Sequence, residues 1–221
     1  MKLATLEALN AARAAKRPVV VITDLGDGEQ HLVEDLGTLG DEERAICSRA
    51  LRMDRLQVVE ERCYHPHNPP LRMVIVGAVH VAQYLVQMAQ LADYEVVVID
   101  PRGAFASEER FHGVRLSTAW PGEAMAEHGV DSRTAVILLT HDAKIDDPAL
   151  IFALESEAFY IGALGSKRTH AARVERFRDR GIELGARVRA PIGLPIGSRS
   201  PAEIAFSIMA EVTQVLRKGA A

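Results

Sequence analysis

Runs of apolar residues alternate with amphipathic helical patterns most clearly in residues 71–100. Residues 73–76 form a continuous apolar run that ends at a glycine, as in a strand buried on both faces of a parallel sheet. In residues 80–91 the apolar positions recur at the spacing of one helix face. Residues 95–99 are a second apolar run, which ends at an acid. This pattern predicts a strand–helix–strand unit with a ligand crevice at the carboxyl ends of its strands.

The same alternation continues towards the end of the chain. The predicted strands cover residues 114–117, 134–139 and 159–164. The predicted helices cover residues 107–110, 123–128, 147–156, 166–180 and 200–216. Two helix starts carry an N-cap residue followed by proline, Asp147-Pro148 and Ser200-Pro201. Alternating strands and helices predict an α/β fold for residues 71–221: a Rossmann-like, doubly wound and mainly parallel sheet.

Residues 1–64 have a different pattern, which predicts a small α+β domain. A helical stripe covers residues 3–16 and a β-branched run covers 19–23, and Asp27-Gly28 then indicates a type I′ hairpin. Asp41 is the predicted cap of the next helix, and residues 57–64 are the next strand. Residues 65–70 contain three prolines, which favour a linker between the two domains.

Composition and charge exclude several classes of function. The 221 residues are 48% hydrophobic and 25% charged, and the net charge is −4, so no overall basic field attracts nucleic acid. The chain lacks an apolar run near the length of a membrane span and a signal-peptide core, which favours a cytoplasmic protein. Cys47 and Cys63 lack metal-ligand spacing and are expected to be reduced thiols. The absence of a nucleophile motif disfavours a triad hydrolase, and we assign no catalytic residue.

The glycine turn after the first Rossmann strand matches the dinucleotide-binding fingerprint only in part. Gly77 and Ala82 fit its first and third positions, but Val79 occupies the second, where a β-branched side chain would crowd a diphosphate. Asp100 follows near the distance at which an acid accepts ribose hydroxyls. The fold signal is therefore strong, whereas NAD(P) binding is predicted to be weak.

Three segments are expected to meet at one edge of the predicted sheet, where they form a cofactor-binding crevice. The candidate cofactor-binding residues are Gly77, Ala78, His80, Asp100, Arg102, Thr140, His141, Asp142, Gly162, Gly165, Ser166, Lys167 and Arg168. Residues 165–168 precede a helix, so free amides and two cations predict an anion or phosphate site there. Alternatively, Ser166 only caps its helix and the two cations are solvated.

Several polar residues near this edge have more than one interpretation. His141 and Asp142 are either a base or metal pair, or a strand-end histidine with an acid that bonds the loop, and we assign no metal site. Asp146 and Asp147 are explained in part by helix capping. His80 is either a ligand contact or an orienting residue.

Five short motifs resemble, in order and spacing, the C-terminal Rossmann domain of the XdhC/CoxI family. They are residues 76–82 (VGAVHVA), 140–142 (THD), 160–166 (YIGALGS), 190–194 (APIGL) and 200–204 (SPAEI). Members of this family are maturation factors for molybdenum hydroxylases such as xanthine dehydrogenase and carbon monoxide dehydrogenase. The resemblance implies a bacterial cytoplasmic accessory protein, rather than a catalyst, that binds molybdenum cofactor, assists its sulfuration and delivers it to an apo-hydroxylase. It further implies a homodimer that works with a cysteine desulfurase or a separate XdhC/CoxI-domain chain.

The sequence departs from the family pattern at two places. Val79 stands where the family usually has glycine. Residues 1–64 lack the family's Gly-Ser-Pro-Arg and Gly-Cys-Val-Glu motifs, and Cys47 lies in Ala-Ile-Cys-Ser, so it does not match the family cysteine. Two rival interpretations remain open, an NAD(P)-dependent oxidoreductase and a ligand-free structural subunit of a split XdhC protein.

Overall fold

The computed structural model describes residues 2–103 and 105–218. Its contacts divide the chain into two units, Met1–Pro69 and Pro70–Ala221. The sequence predicts two domains at residues 1–64 and 71–221, so the division falls inside the proline-rich segment, near its end.

The N-terminal unit is a four-stranded antiparallel sheet with a helix on each face. Its elements are α1 Leu3–Ala14, β1 Val19–Asp24, β2 Gln30–Val33, a 3-10 turn Leu36–Thr38, α2 Asp41–Met53, β3 Gln57–Val59 and β4 Arg62–His67. The strand order is β2-β1-β4-β3. Val20 and Ile22 of β1 pack with Cys47 of α2, whereas Val19 and Val21 pack with Leu9 of α1. The apolar run of β1 is continuous because both of its faces are covered.

Three local predictions for this unit are wrong. Strands β1 and β2 do form a hairpin, but residues 25–29 connect them, and of Asp27 and Gly28 only Gly28 has the positive φ that a type I′ turn requires at both positions. Helix α2 begins at Asp41 with Gly40 as its N-cap. Residues 57–64 are not one strand, because a turn at Glu60 separates β3 from β4.

Pro66 lies in a strand and not in a linker. Strand β4 extends to His67, and Pro66 is opposite Val20 of β1. The pairing of β3 with β4 reaches only Tyr64, so one side of β4 is open beside Pro66. A proline is tolerated there because its missing N–H costs no hydrogen bond of the ladder.

The C-terminal unit is an α/β Rossmann-like unit built on a six-stranded parallel sheet. Its elements are β5 Leu71–Val76, α3 His80–Leu91, β6 Tyr94–Ile99, β7 Arg115–Ser117, α4 Pro121–His128, β8 Thr134–Leu138, α5 Ala143–Glu155, β9 Tyr160–Ala163, α6 Lys167–Arg178, a 3-10 turn Gly185–Arg187, β10 Val188–Arg189 and α7 Pro201–Lys218. The strand order is β10-β9-β8-β5-β6-β7, and every neighbouring pair is parallel. This is the Rossmann order, and it confirms the predicted fold class. The direction in which successive strands are added to the sheet reverses between β5 and β8.

Helices cover both faces of this sheet. Met73 and Ile75 of β5 point to the face that packs with α3 and α7, where Leu85 and Ile208 are fully buried. The alternate residues of β5 point to the opposite face, which α4, α5 and α6 cover through Met125, Leu150 and Phe177. Burial on both faces is the physical reason for the uninterrupted apolar runs in the sequence.

The structure corrects two predictions in this unit and adds one strand. Helix α5 begins at Ala143, one turn before the predicted start, because the Asp142 side chain accepts a hydrogen bond from the Lys144 amide; Pro148 lies inside the helix. Residues 108–110 form a turn and not a helix. The sequence does not predict strand β10, since two residues carry no periodic signal.

Candidate functional site

The glycine turn after β5 lies at the point where the strand order reverses. Gly77 has φ +112°, and a Cβ atom there would lie 2.8 Å from Thr140 Cγ2 and 3.1 Å from the Thr140 amide nitrogen. The turn and the segment that follows β8 therefore touch through a position that only glycine can occupy. Val79 is the N-cap residue of α3 and contributes no side-chain cap to the described helix, and His80 is exposed as its first residue.

Asp100 closes the glycine turn from the end of β6. Its carboxylate is fully buried and accepts hydrogen bonds from the Ala78 amide (2.8 Å), the Arg102 amide (3.0 Å) and the Arg102 guanidinium Nε and Nη2 (2.9 and 2.8 Å). Burial by itself would raise the pKa of Asp100, but the donors of Arg102 and Ala78 outweigh it and hold the pKa below its ordinary value. Protein donors thus occupy the oxygens that the fingerprint assigns to a ribose.

Arg102 is the partly exposed partner of the buried Asp100. Its side chain is about one-third exposed (34%), and the guanidinium carbon lies 4.8 Å from the centre of the Phe105 ring. The bond to Asp100 raises the pKa of Arg102 above its ordinary value, so this cation keeps its charge. Its partial exposure lets this arginine stabilise the turn and still face solvent.

The segment after β8 is held by internal hydrogen bonds. The Thr140 hydroxyl donates to Asp146 Oδ1 (2.5 Å) and accepts from the Asp142 amide (3.1 Å). His141 between them is exposed and has φ +60°, which is uncommon for a residue other than glycine. Asp142 is therefore a helix cap, while His141 is presented to solvent by a strained backbone. Within the described residues, no group of three or more His, Cys, Asp or Glu side chains is arranged to hold a metal ion.

The segment after β9 leads directly into α6. Ser166 caps this helix by accepting a hydrogen bond from the Thr169 amide (3.1 Å), and Lys167 and Arg168 are exposed in the first turn. Gly165 has φ +146° and lies against Thr169. Gly162 is different, because a Cβ atom there would overlap the Ile192 side chain. Gly162 thus has a packing reason for being glycine, which does not require a ligand.

The 190–194 motif also has a structural explanation. Gly193 has φ +93°, and any side chain there would overlap Ser207 of α7. The Gly193 amide donates to Glu211 Oε2 (2.8 Å), which also accepts from the Tyr160 hydroxyl (2.5 Å), and the Leu194 amide donates to the Ser207 carbonyl (3.1 Å). This motif attaches α7 to the sheet.

Sequence reasoning missed two Asp–Arg pairs that join α5 to α6. Asp147 makes a bidentate pair with Arg176 (2.8 and 3.0 Å), and Asp146 Oδ2 lies 3.6 Å from Arg173 Nη2. Both aspartates are buried inside α5, so their assignment to helix capping is wrong. One signal was present in the sequence: Arg173 lies four residues before the buried Phe177, on the same face of α6.

The predicted site residues thus fall into three groups. Asp100 links Arg102 to the glycine turn, and the turn contacts Thr140. His80 and His141 are exposed at the starts of α3 and the β8–α5 segment, and residues 165–168 form the start of α6. All follow the carboxyl ends of β5, β6, β8 or β9 except Gly162, which lies within β9.

The model of the XdhC Rossmann domain family matches residues 73–212, which includes all of these segments. The chain belongs to the XdhC family. It is 33% identical over 149 residues to the molybdenum cofactor insertion chaperone PaoD of Escherichia coli K12, covering 66% of this chain and 41% of PaoD. It is 30% identical over 151 residues to a Bacillus subtilis 168 protein named as a probable xanthine dehydrogenase subunit, covering 68% of this chain and 44% of that protein.

Among solved structures, the fold is similar to that of a Bacillus halodurans protein described as a xanthine dehydrogenase. The TM-score is 0.75 at 24% identity, with 96% of this chain and 66% of that chain covered. At that identity the likeness concerns the fold. The chain spans less than half the length of the two curated relatives it matches. No helix in the described residues combines the length and apolar character needed to span a bilayer.

Proposed function

We propose that this protein is a maturation factor that binds molybdenum cofactor and assists its insertion into a molybdenum hydroxylase of the xanthine dehydrogenase or carbon monoxide dehydrogenase type. The observation that carries the proposal is the similarity to PaoD, which is named as an insertion chaperone for this cofactor, within a chain that belongs to the XdhC family. The cofactor is cargo here, and the protein's task is to hold and release it.

The starts of α3 and α6 fit the phosphate group of a pterin cofactor. The first amides of a helix point along its axis without partners inside the helix, and they favour an anion. Val79 provides no side-chain cap to helix α3 in the described structure, and the Ala82 amide bonds the Val79 carbonyl, so the amides of His80 and Val81 are the ones that a ligand would meet. Helix α6 is capped by Ser166 but adds the exposed cations Lys167 and Arg168. Both starts follow carboxyl ends of the sheet, where Rossmann folds bind ligands.

We propose that any sulfur for the cofactor comes from a separate protein, such as a cysteine desulfurase or another XdhC/CoxI-domain chain. Both cysteines are free thiols, and both lie in the N-terminal unit. Burial, reinforced by the nearby Glu43 carboxylate, raises the pKa of the Cys47 thiol to about 11. A thiol that stays protonated and buried is a poor nucleophile. The remaining partners in the proposal are the apo-hydroxylase and a second copy of this chain.

Two rival functions have less support. An NAD(P)-dependent oxidoreductase needs a phosphate turn without the Val79 side chain and an acid free to accept ribose hydroxyls, whereas Asp100 is engaged by protein donors. A ligand-free structural subunit would not need the uncapped start of α3.

The Lys167→Ala/Arg168→Ala double variant tests the proposed phosphate site. Charge-assisted contacts to phosphate contribute about 1.5–3 kcal/mol each, so molybdenum cofactor binding should weaken by at least about tenfold. Wild-type affinity should also fall with added salt, and the double variant should respond less, because the attraction is partly Coulombic. The matched control is Arg178→Ala/Arg180→Ala, which removes the same charge at and just beyond the other end of α6. Equal binding and equal salt response of parent and double variant would show that the two cations belong to a solvated surface.

A further inference from the structure

The two Asp–Arg pairs between α5 and α6 differ in a way that is informative about ligands. Asp147 and Arg176 form a closed pair, in which both carboxylate oxygens accept a guanidinium N–H. Asp146 and Arg173 form an open pair: their nearest charged atoms are 3.6 Å apart, which is beyond a normal hydrogen bond. The open pair is also the more deeply buried, with side-chain exposures of 1% and 3% against 3% and 39%.

The open pair leaves charged atoms buried without partners. Among the described residues, Asp146 Oδ2, Arg173 Nε and Arg173 Nη1 have no hydrogen-bond partner. The third nitrogen of the guanidinium, Nη2, donates to the Leu164 carbonyl over a long 3.4 Å. Arginine keeps its charge in proteins. Leaving the buried N–H donors of a cation without hydrogen bonds costs stability. A pair kept only for stability would be expected to close as Asp147 and Arg176 do.

The Arg173 guanidinium, with two of its three nitrogens lacking a partner among the described residues, lies beside the segment that leads into α6. Arg173 is in the second turn of that helix, but its contact with Leu164 shows that the side chain reaches back to the segment after β9. On the same side, Asp146 holds the Thr140 hydroxyl from the neighbouring strand end. His170, one turn from the helix start, also has a buried Nδ1 without a partner in the described structure. A buried cation with two nitrogens that lack a partner in the described part of the chain therefore lies beside the segment that leads into α6.

We propose that Arg173 is an oxyanion-binding residue. Its N–H groups on Nε and Nη1, which lack partners within the described structure, would donate hydrogen bonds to a phosphate group at the start of α6. A guanidinium is planar and holds its N–H donors in fixed directions, which suits the several acceptor oxygens of a phosphate. Asp146 lies beside the guanidinium and accepts a hydrogen bond from the Thr140 hydroxyl. The identity of the phosphate carrier rests on the proposed function, whereas the recognition of a phosphate group by Arg173 does not. Gly165, which follows Leu164 in the segment that leads into α6, has φ +146°.

Calorimetric titration of the full chain with pyrophosphate and with inorganic phosphate tests the proposal. Arg173→Lys keeps the charge and removes the planar set of donors, so pyrophosphate affinity should fall by at least about tenfold. The matched control, Arg176→Lys, alters the closed pair on the same helix and should leave that affinity unchanged. The proposal is overturned by wild-type affinity in Arg173→Lys, or by a wild-type protein that binds neither anion.

A measurement on the wild-type protein avoids dependence on how the variants fold. The 15Nε–H resonance of Arg173 should shift on addition of pyrophosphate, while that of Arg176 stays in place; an unchanged Arg173 resonance in the saturated protein would refute the proposal. The same measurements distinguish a failure of the Arg173 proposal from a failure of the proposed function. If Arg173→Lys keeps both cofactor binding and pyrophosphate binding, this inference alone fails, whereas pyrophosphate binding through Arg173 without any cofactor binding defeats the proposed function alone.

Discussion

Replacing Asp100 by alanine should destabilise the Rossmann unit, because this carboxylate joins the glycine turn to Arg102. The substitution removes four hydrogen bonds to a fully buried charge and leaves the Ala78 N–H without its acceptor. Breaking a buried ion pair costs about 3–5 kcal/mol. Arg102 is one-third exposed and can be resolvated, so we expect the lower end, about 3 kcal/mol.

Urea unfolding monitored by tryptophan fluorescence measures the stability of the Rossmann unit, which contains the substitution. Trp120 is the single tryptophan of the chain, and it lies in the Rossmann unit. A loss of about 3 kcal/mol should lower the Tm by roughly 6–12 °C for a unit of this size. Arg115→Ala, which removes the exposed ion pair with Glu127, should cost less than about 1 kcal/mol and serves as the control.

A double-mutant cycle and a pH series complete the test. Asp100 and Arg102 are bonded to one another, so the double variant Asp100→Ala/Arg102→Ala should lose less stability than the two single variants together. The difference should be about 0.5–3 kcal/mol. Folding lowers the pKa of Asp100, so its stabilisation is complete above the unfolded value of about 3.9 and is lost as the pH falls through the folded value. A free energy of unfolding for Asp100→Ala within about 0.5 kcal/mol of the wild-type value at neutral pH would refute this expectation.

Three further substitutions separate ligand contacts from packing. Wild type should bind NAD with a dissociation constant of roughly 100 μM or more, and Val79→Gly should tighten binding in calorimetry by removing a steric block; tight binding by wild type would contradict this. Ser200 accepts from the Glu203 amide, so Ser200→Ala should cost about 0.5–2 kcal/mol in thermal unfolding and spare cofactor binding, and the reverse outcome would place Ser200 in the site. Gly162→Ala should cost about 1–3 kcal/mol through overlap with the Ile192 and Tyr160 side chains, and the added mutation Ile192→Ala should recover only part of that cost in urea unfolding, because the new Cβ still lies 2.7 Å from Tyr160 Cε1.

The parts of the fold that were predictable are those that the chain encodes locally. Helix α3 spans the predicted residues 80–91. Strands β5 and β6 differ from their predicted bounds by two residues or fewer, because a strand that is buried on both faces requires a continuous apolar run. The capping box of α7 is present as predicted, with Ser200 and Glu203 bonded to one another's amides.

Contacts between distant segments decided the points that sequence reasoning missed. Asp147-Pro148 is the better local signal for a helix start, yet Asp142 caps α5, because Asp147 is committed to Arg176 and Asp146 to Thr140. No sequence spacing relates these partners. The same reason hid Arg173, whose neighbours come from other segments of the chain.

Mass spectrometry of the small molecules released from protein purified from a molybdate-fed bacterial host tests the central claim most directly. We expect a molybdopterin-type compound in near-stoichiometric amount, with bound molybdenum measured in the same sample. The Lys167→Ala/Arg168→Ala variant from the same host should carry much less of it, and Arg178→Ala/Arg180→Ala should carry as much as wild type. A wild-type protein that releases NAD(P), or releases no pterin while an XdhC-family control from the same host does, would contradict the account.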